Sequence, residues 1–182
     1  EDWKDIYRDI VHWELELEGQ TENGMHEVLK MQKNDANTEF GKYIRQNYHR
    51  WFEENQDKPQ LSPSLLKNKL FPLIKNGEQV CMVLIDNLRF DHWQKLKPLI
   101  SEFYSIRREE MYYSILPTAT QYARNAIFAG LMPLEISEMY PDLWLHDEEQ
   151  GGKNLREKDL LRKQIDRLGL EISYYYDKLG YS

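Results

Sequence analysis

The sequence is poor in cysteine, in long apolar runs and in positive charge. A single cysteine in 182 residues excludes a disulfide framework within the chain and suits a reducing compartment, so we expect a cytoplasmic protein. The longest uninterrupted apolar run, residues 80–85, is far too short to cross a membrane, and no membrane insertion is expected. The net charge of −7 disfavours a general nucleic-acid-binding surface.

The composition supports a packed core. The apolar fraction of 41% and the aromatic fraction of 13% argue against disorder. The chain opens without a signal-peptide pattern and begins on Glu1 rather than methionine, so we expect a fragment of a longer protein. Cys81 lies inside the apolar run, where a buried and inert thiol is expected.

The first sixty residues predict a helical hairpin. Apolar side chains follow helical spacing over residues 1–18, and Gly19 is a natural stop. A second helical stretch over residues 25–55, broken near 34–37, has a further apolar face. Two such faces favour antiparallel packing, with dimerisation through the helices as an alternative use. The proline-containing stretch 56–63 places a boundary near residue 60, giving a module at 1–60 and a domain at 61–182.

The second domain alternates between strand-like and helix-like patterns. Ser62 is predicted to cap a helix that begins at Pro63 and ends near Gly77. The alternation predicts the α/β class, with a mainly parallel sheet flanked by helices. The predicted strands are residues 80–85, 103–107, 112–116 and 171–176, and the predicted helices are residues 63–74, 90–100, 120–129, 133–140 and 155–168.

Two polar groups follow predicted strands, where ligands gather in such sheets. Asp86 ends the apolar run, and a carboxylate there binds a metal, caps the next helix or pairs with Arg89. Thr120 opens a helical pattern, where it serves either as an N-cap or as a nucleophile beside an anion held by free backbone N–H groups. Arg124 follows one helical turn later and is a candidate contact for the same anion.

These two segments carry a family resemblance. Residues 85–91 (Ile-Asp-Asn-Leu-Arg-Phe-Asp) and 116–130 (Leu-Pro-Thr-Ala-Thr-Gln-Tyr-Ala-Arg-Asn-Ala-Ile-Phe-Ala-Gly) resemble the N-terminal half of the PglZ domain of the alkaline phosphatase superfamily. The resemblance implies that Asp86 is a zinc ligand, that Thr120 is both nucleophile and zinc ligand, with Thr118 as the less favoured choice, and that Arg124 contacts the phosphate. Asn87 stands where many relatives have glycine.

The helical segment before this domain is similar to the middle part of the PorX family of response regulators, which are linked to type IX secretion. The combined resemblance implies a zinc-dependent phosphodiesterase with two zinc ions, acting on nucleotides or oligonucleotides. It also implies a sensor kinase and a sigma factor as partners, and a possible homodimer. A non-catalytic signalling module built on a phosphatase-like scaffold is the alternative.

The zinc site that the resemblance implies needs further Asp and His ligands. His146 and Asp147 form the nearest pair after Arg124, but they lie in an acidic stretch that favours a solvated loop. Catalytic zinc takes about three protein ligands, so Asp86 and Thr120 alone should bind it poorly. We therefore expect this chain to hold only the first half of the site and to be inactive by itself.

Overall fold

A computed structural model describes residues 2–20, 23–53, 58–145 and 152–179. Helices dominate these ranges. The α-helices are α1 (Trp3–Glu16), α2 (Asn23–Asn47), α3 (Phe71–Lys75), α4 (Phe90–Ser101), α5 (Thr120–Ala129), α6 (Pro133–Met139) and α7 (Glu157–Arg167). Short 3₁₀ turns cover His49–Phe52, Ser62–Ser64 and Pro141–Leu143, and a π turn covers Leu66–Leu70.

The chain divides into two compact units that alternate along the sequence. The first contains Glu1–Lys58 and Ile85–Met111, and the second contains Pro59–Leu84 and Tyr112–Ser182. Helices α1, α2 and α4 belong to the first unit, and α3, α5, α6 and α7 belong to the second.

Helices α1 and α2 of the first unit form the predicted antiparallel hairpin. The Trp3 ring, at the start of α1, lies 5.4 Å from that of Phe40 and 5.8 Å from that of Tyr43, both near the end of α2. At the other end, His26 Nε2 lies 3.1 Å from the Leu17 carbonyl oxygen. Gly19 follows α1 with a φ of +87°, so glycine is the natural residue at this stop.

The predicted break near residues 34–37 is wrong, because α2 runs without interruption from Asn23 to Asn47. Asn and Asp lower helix stability by less than about 1 kcal/mol each, which the packing of neighbouring turns readily outweighs. The hydroxyl of Thr38 donates to the Asn34 carbonyl at 2.9 Å, inside the helix rather than at an end.

The second unit is built around α5 and α7. Phe128 and Ala129 of α5 belong to a buried cluster with Leu160 of α7. Ile127 belongs to a second buried cluster with Ile165 of α7. Because consecutive residues of α5 enter both clusters, the carboxyl half of this helix is fixed in the core of the unit.

The predicted α/β fold with a mainly parallel sheet is wrong for the residues that the structure describes. In these ranges the chain has no sheet, and the isolated parallel bridge from Leu61 to Tyr113 is as close as it comes to strand pairing. The run at residues 80–85 is largely exposed: the exposed fraction is 75% at Val83 and 58% at Ile85, and Cys81 is exposed as well. An apolar run favours an extended, buried segment, but a strand forms only where a neighbour supplies backbone hydrogen bonds.

The predicted strand at residues 171–176 has the side-chain alternation of a strand, but it pairs with no other segment that the structure describes. Ile172, Tyr174 and Tyr176 pack against the core clusters, whereas Ser173 and Tyr175 are exposed. The alternation of side chains with a period of two residues therefore predicts correctly which residues face the core.

Ser62 is not the N-cap of the predicted helix. Its side chain is fully buried, and its hydroxyl accepts a hydrogen bond from Ile115 N–H at 3.2 Å. The helical stretch does end where predicted, with Gly77 at a φ of +86° after α3. The serine thus ties residue 62 to residue 115 rather than starting a helix.

Candidate functional site

Asp86 lies in an exposed turn of the first unit, between the apolar run and α4. Its Oδ1 accepts a hydrogen bond from Asn87 N–H at 3.0 Å. The carboxylate that Arg89 binds is that of Asp91, with Arg89 Nε 2.9 Å from Asp91 Oδ1 and a second contact between Nη2 and Oδ2. The Arg89 hydrogen bond holds the pKa of Asp91 down at about 2.

Asn87 has a left-handed backbone with a φ of +57°. Glycine adopts this conformation without strain, and asparagine is one of the few other residues that tolerate it. The conformation therefore accounts for an asparagine directly after Asp86.

Thr120 is the first residue of α5. Ala119 occupies the N-cap position, so the alternative in which Thr120 acts as the N-cap is wrong. Thr120 is half-buried and Thr118 is exposed. The threonine hydroxyl therefore belongs to the first helical turn, where the partial positive charge of the helix dipole favours an anion.

The Thr120 end of α5 is held in place by asparagine side chains. Asn154 Nδ2 lies 3.1 Å from Asn125 Oδ1 and 3.3 Å from the Thr120 carbonyl oxygen. Asn125, which is 2% exposed, donates from Nδ2 to the Lys153 carbonyl at 3.0 Å. These bonds fix the first turns of α5 to the stretch that leads into α7.

Arg124 forms a buried ion pair with Glu157, the first residue of α7. The Nη2–Oε2 distance is 2.7 Å, and the exposed fraction is 17% for the Arg124 side chain and 0% for that of Glu157. The hydroxyl of Tyr176 donates to the same Oε2 at 2.9 Å, and Lys178 Nζ lies 3.8 Å from it. Burial and the Glu157 hydrogen bond raise the pKa of Tyr176 to about 12.

Sequence reasoning missed Glu157, Tyr176 and Asn154. Glu157 is an acid in the first turn of an amphipathic helix, a position that ordinarily indicates a solvated helix end. Its partner Arg124 lies 33 residues earlier, and no local pattern connects the two. The alternation over residues 171–176 does place Tyr176 on the inner face, which is the one available signal.

The structure brings Thr120 and Arg124 together on α5, whereas Asp86 belongs to the other compact unit. Their roles as nucleophile, phosphate contact and zinc ligand stay predictions. In the described part of the chain, no three His, Cys, Asp or Glu side chains are grouped so that they could hold a metal ion. His146 and Asp147 lie outside the described residues. The described donors therefore do not fit a complete zinc site.

The described helices include none that is long and apolar enough to span a membrane. Comparison with known proteins gives matches to two family models. Residues 1–52 match the PorX response regulator linker domain, and residues 65–180 match the BREX system PglZ alkaline phosphatase-like domain. No curated protein matches the chain. The second match confirms the resemblance inferred from residues 85–91 and 116–130 and covers well over half of the sequence, and the first confirms the resemblance of the helical segment. The chain belongs to the PglZ family of alkaline phosphatase-like domains.

Proposed function

We propose that this protein hydrolyses phosphoesters, with Thr120 as the nucleophile. The observation that carries the proposal is the position of Thr120 at the first residue of α5, within the 65–180 match to a phosphatase-like family. The carboxyl half of α5 is buried in the core of its unit, so the threonine sits on a rigid support. The helix dipole of this ten-residue helix favours an anion at its amino end.

The reaction that fits a threonine is a two-step displacement. Thr120 Oγ1 attacks phosphorus, and the bond from phosphorus to the leaving oxygen breaks, so that the leaving alcohol takes up a proton and the phosphoryl group stays on the threonine. Water then attacks the phosphorus of the threonyl ester, and the bond from phosphorus to Oγ1 breaks. One proton of the water goes to Oγ1, and the product is a monoester from a diester substrate or phosphate from a monoester. Arg124, one turn along α5, supplies positive charge for the phosphoryl oxygens.

A phosphodiester is the proposed substrate class, with nucleotides or oligonucleotides as the candidates that the family resemblance suggests. Zinc is the proposed cofactor, with Asp86 and Thr120 as two of its ligands. Bound zinc would lower the pKa of the threonine hydroxyl. Because the described donors do not make a complete site, we assign no step of the reaction to the metal.

The test is the hydrolysis of bis(p-nitrophenyl) phosphate by the full-length protein and by Thr120→Ala. Removing the nucleophile should lower kcat by at least about a thousandfold. Thr118→Ala is the matched control, since Thr118 is the other threonine of the same segment and lies exposed before α5. It should keep kcat within about twofold of the parent, as expected for a surface side chain.

Equal loss in both variants, or unchanged hydrolysis in Thr120→Ala, contradicts the assignment of Thr120. Elemental analysis of the full-length protein tests the cofactor, and a preparation that is active without bound metal contradicts the proposal of zinc. Each result is read beside a thermal unfolding curve, so that loss of activity is separated from loss of fold.

The second candidate function is signalling, and the match of residues 1–52 to a response-regulator linker favours it. We propose that the protein takes part in the control of type IX secretion, with a sensor kinase upstream and a sigma factor as a partner. Helix α2 exposes an apolar stripe suited to a second copy: the exposed fraction is 51% at Met25, 50% at Val28 and 59% at Met31.

The mass of the protein in solution tests self-association. We expect a dimer in the parent protein and a monomer after Val28→Glu combined with Met31→Glu, because two charges on the stripe oppose its burial. A parent protein that is a monomer at every concentration contradicts the dimer, and it leaves the hydrolase proposal untouched.

A further inference from the structure

Glu157 is an unusual residue for a helix start, because its carboxylate is completely buried. The side chain is 0% exposed, although it opens α7 at a position where most acids are solvated. All its hydrogen bonds in the described part of the chain go to one oxygen, Oε2, which accepts from Arg124 and Tyr176. Its other oxygen, Oε1, is buried and has no hydrogen-bond partner among the described residues.

Stability alone is a poor reason for this arrangement. A buried carboxylate loses its hydration, and an oxygen without a partner recovers none of it. A well-packed apolar side chain of similar volume often replaces a buried ion pair without loss of stability. We therefore expect the charge and the orientation of the Glu157 carboxylate to have a role beyond stability.

The atom of Arg124 that Glu157 binds indicates what that role is. Glu157 Oε2 binds Arg124 at Nη2, the end of a long side chain that would otherwise sample many rotamers. A guanidinium has five N–H donors in a fixed plane, so a bond to the carboxylate at Nη2 constrains the orientation of the whole group. Arg124 lies on α5 one turn after Thr120, and the Asn125–Asn154 bonds hold the same turn.

We propose that Glu157 is a positioning residue for an oxyanion of the phosphate class at the amino end of α5, acting through the Arg124 guanidinium that it holds. The inference rests on the proposed function of Thr120 and extends it to α7. Without Glu157, Arg124 keeps its charge but loses its fixed orientation, so the anion site remains and binds less tightly.

The test uses inorganic phosphate as the probe and measures its dissociation constant by calorimetry for the full-length protein. Glu157→Gln should weaken phosphate binding roughly tenfold, the lower end of the range for partners that orient a binding group. Arg124→Gln should weaken it at least as much. The double variant should be no weaker than Arg124→Gln, because Glu157 acts only through Arg124.

Tyr176→Phe is the matched control. It removes a hydrogen bond from the same oxygen of the same buried carboxylate but leaves the Arg124 contact in place. A merely structural role predicts that Tyr176→Phe and Glu157→Gln weaken binding alike. The positioning role predicts that Tyr176→Phe stays within about twofold of the parent.

Three outcomes overturn the inference in different ways. Unchanged phosphate affinity in Glu157→Gln, with a loss in Arg124→Gln, removes the role of Glu157 and keeps the proposed function. Additive losses in the double variant show that Glu157 does not act through Arg124. A parent protein that binds no phosphate removes the anion site and the proposed function with it. If Glu157→Gln does not fold, Glu157→Asp replaces it, with a weakening of about threefold expected from the shorter reach.

Discussion

The α1–α2 hairpin and the α5–α7 pair are both packed helix pairs, but different contacts hold them together. In the hairpin, aromatic rings meet and the ion pairs are exposed: Lys33 and Glu14 have exposed fractions of 46% and 36%. In the α5–α7 pair an ion pair is buried, and the exposed fraction of Glu157 is 0%. Aromatic contacts tolerate many geometries, whereas a buried ion pair permits few, so the orientation of Arg124 is more narrowly fixed than that of the hairpin side chains.

Removal of the buried carboxylate should give the largest effect on stability. Glu157→Ala takes away a buried ion-pair partner of Arg124, and we expect the free energy of unfolding to fall by about 3 kcal/mol. Urea unfolding measures this change in the free energy of unfolding. Glu157→Gln keeps the volume and should lose less. A loss below about 1 kcal/mol for Glu157→Ala would remove the contrast between the two helix pairs.

Truncation of an aromatic ring in the hairpin should have a smaller effect. Trp3→Ala removes the contacts with Phe40 and Tyr43, and we expect a loss of about 2 kcal/mol because Trp3 is only half-buried. The control is Lys33→Ala, whose exposed ion pair should contribute no more than about 0.5 kcal/mol. If the two variants lose equal stability in urea, aromatic packing is not what holds the hairpin.

The pH dependence of stability should show the smallest effect near neutral pH, because it appears only in alkaline solution. The pKa of Tyr176 is about 12 in the folded protein, against an ordinary value of 10.0. Between these values the unfolded chain releases the phenolic proton and the folded protein keeps it, so the stabilising contribution is complete below pH 10 and is lost as the pH rises through 12.

Tyr176→Phe should therefore lose stability less steeply than the parent protein over this interval. Urea midpoints at a series of pH values measure the difference. Tyr112, whose pKa burial also raises, is present in both proteins and cancels in the comparison. Parallel curves for the two proteins would show that burial and the Glu157 hydrogen bond do not raise the pKa of Tyr176 in the folded protein.

The helices were predictable because their signals are local. Apolar spacing and a following glycine predicted α5 over residues 120–129, and Gly130 indeed has a φ of +64°. Gly169, with a φ of +60°, follows α7 in the same way. The sheet could not be judged from such signals, because an apolar run specifies burial but its pairing depends on distant backbone.

The candidate site was predictable only in part, for the same physical reason. The start of a helix located Thr120, and helical spacing located Arg124 one turn later. Glu157 could not be found in this way, because its contact with Arg124 spans 33 residues and arises from the packing of α7 on α5. The turn at Asp86 was expected at the end of a strand, and it follows a segment that pairs with no other described segment.

The most direct test of the central claim is to trap the phosphoryl group on the protein. The full-length protein is mixed with bis(p-nitrophenyl) phosphate, quenched in acid and digested with trypsin, and the peptide of residues 109–124 is fragmented in a mass spectrometer. We predict p-nitrophenyl phosphate esterified to Thr120, a threonyl phosphodiester, in the parent protein and none in Thr120→Ala. A modification at Thr118 instead, or hydrolysis without any modified peptide in the quenched sample, would contradict a nucleophile at the start of α5.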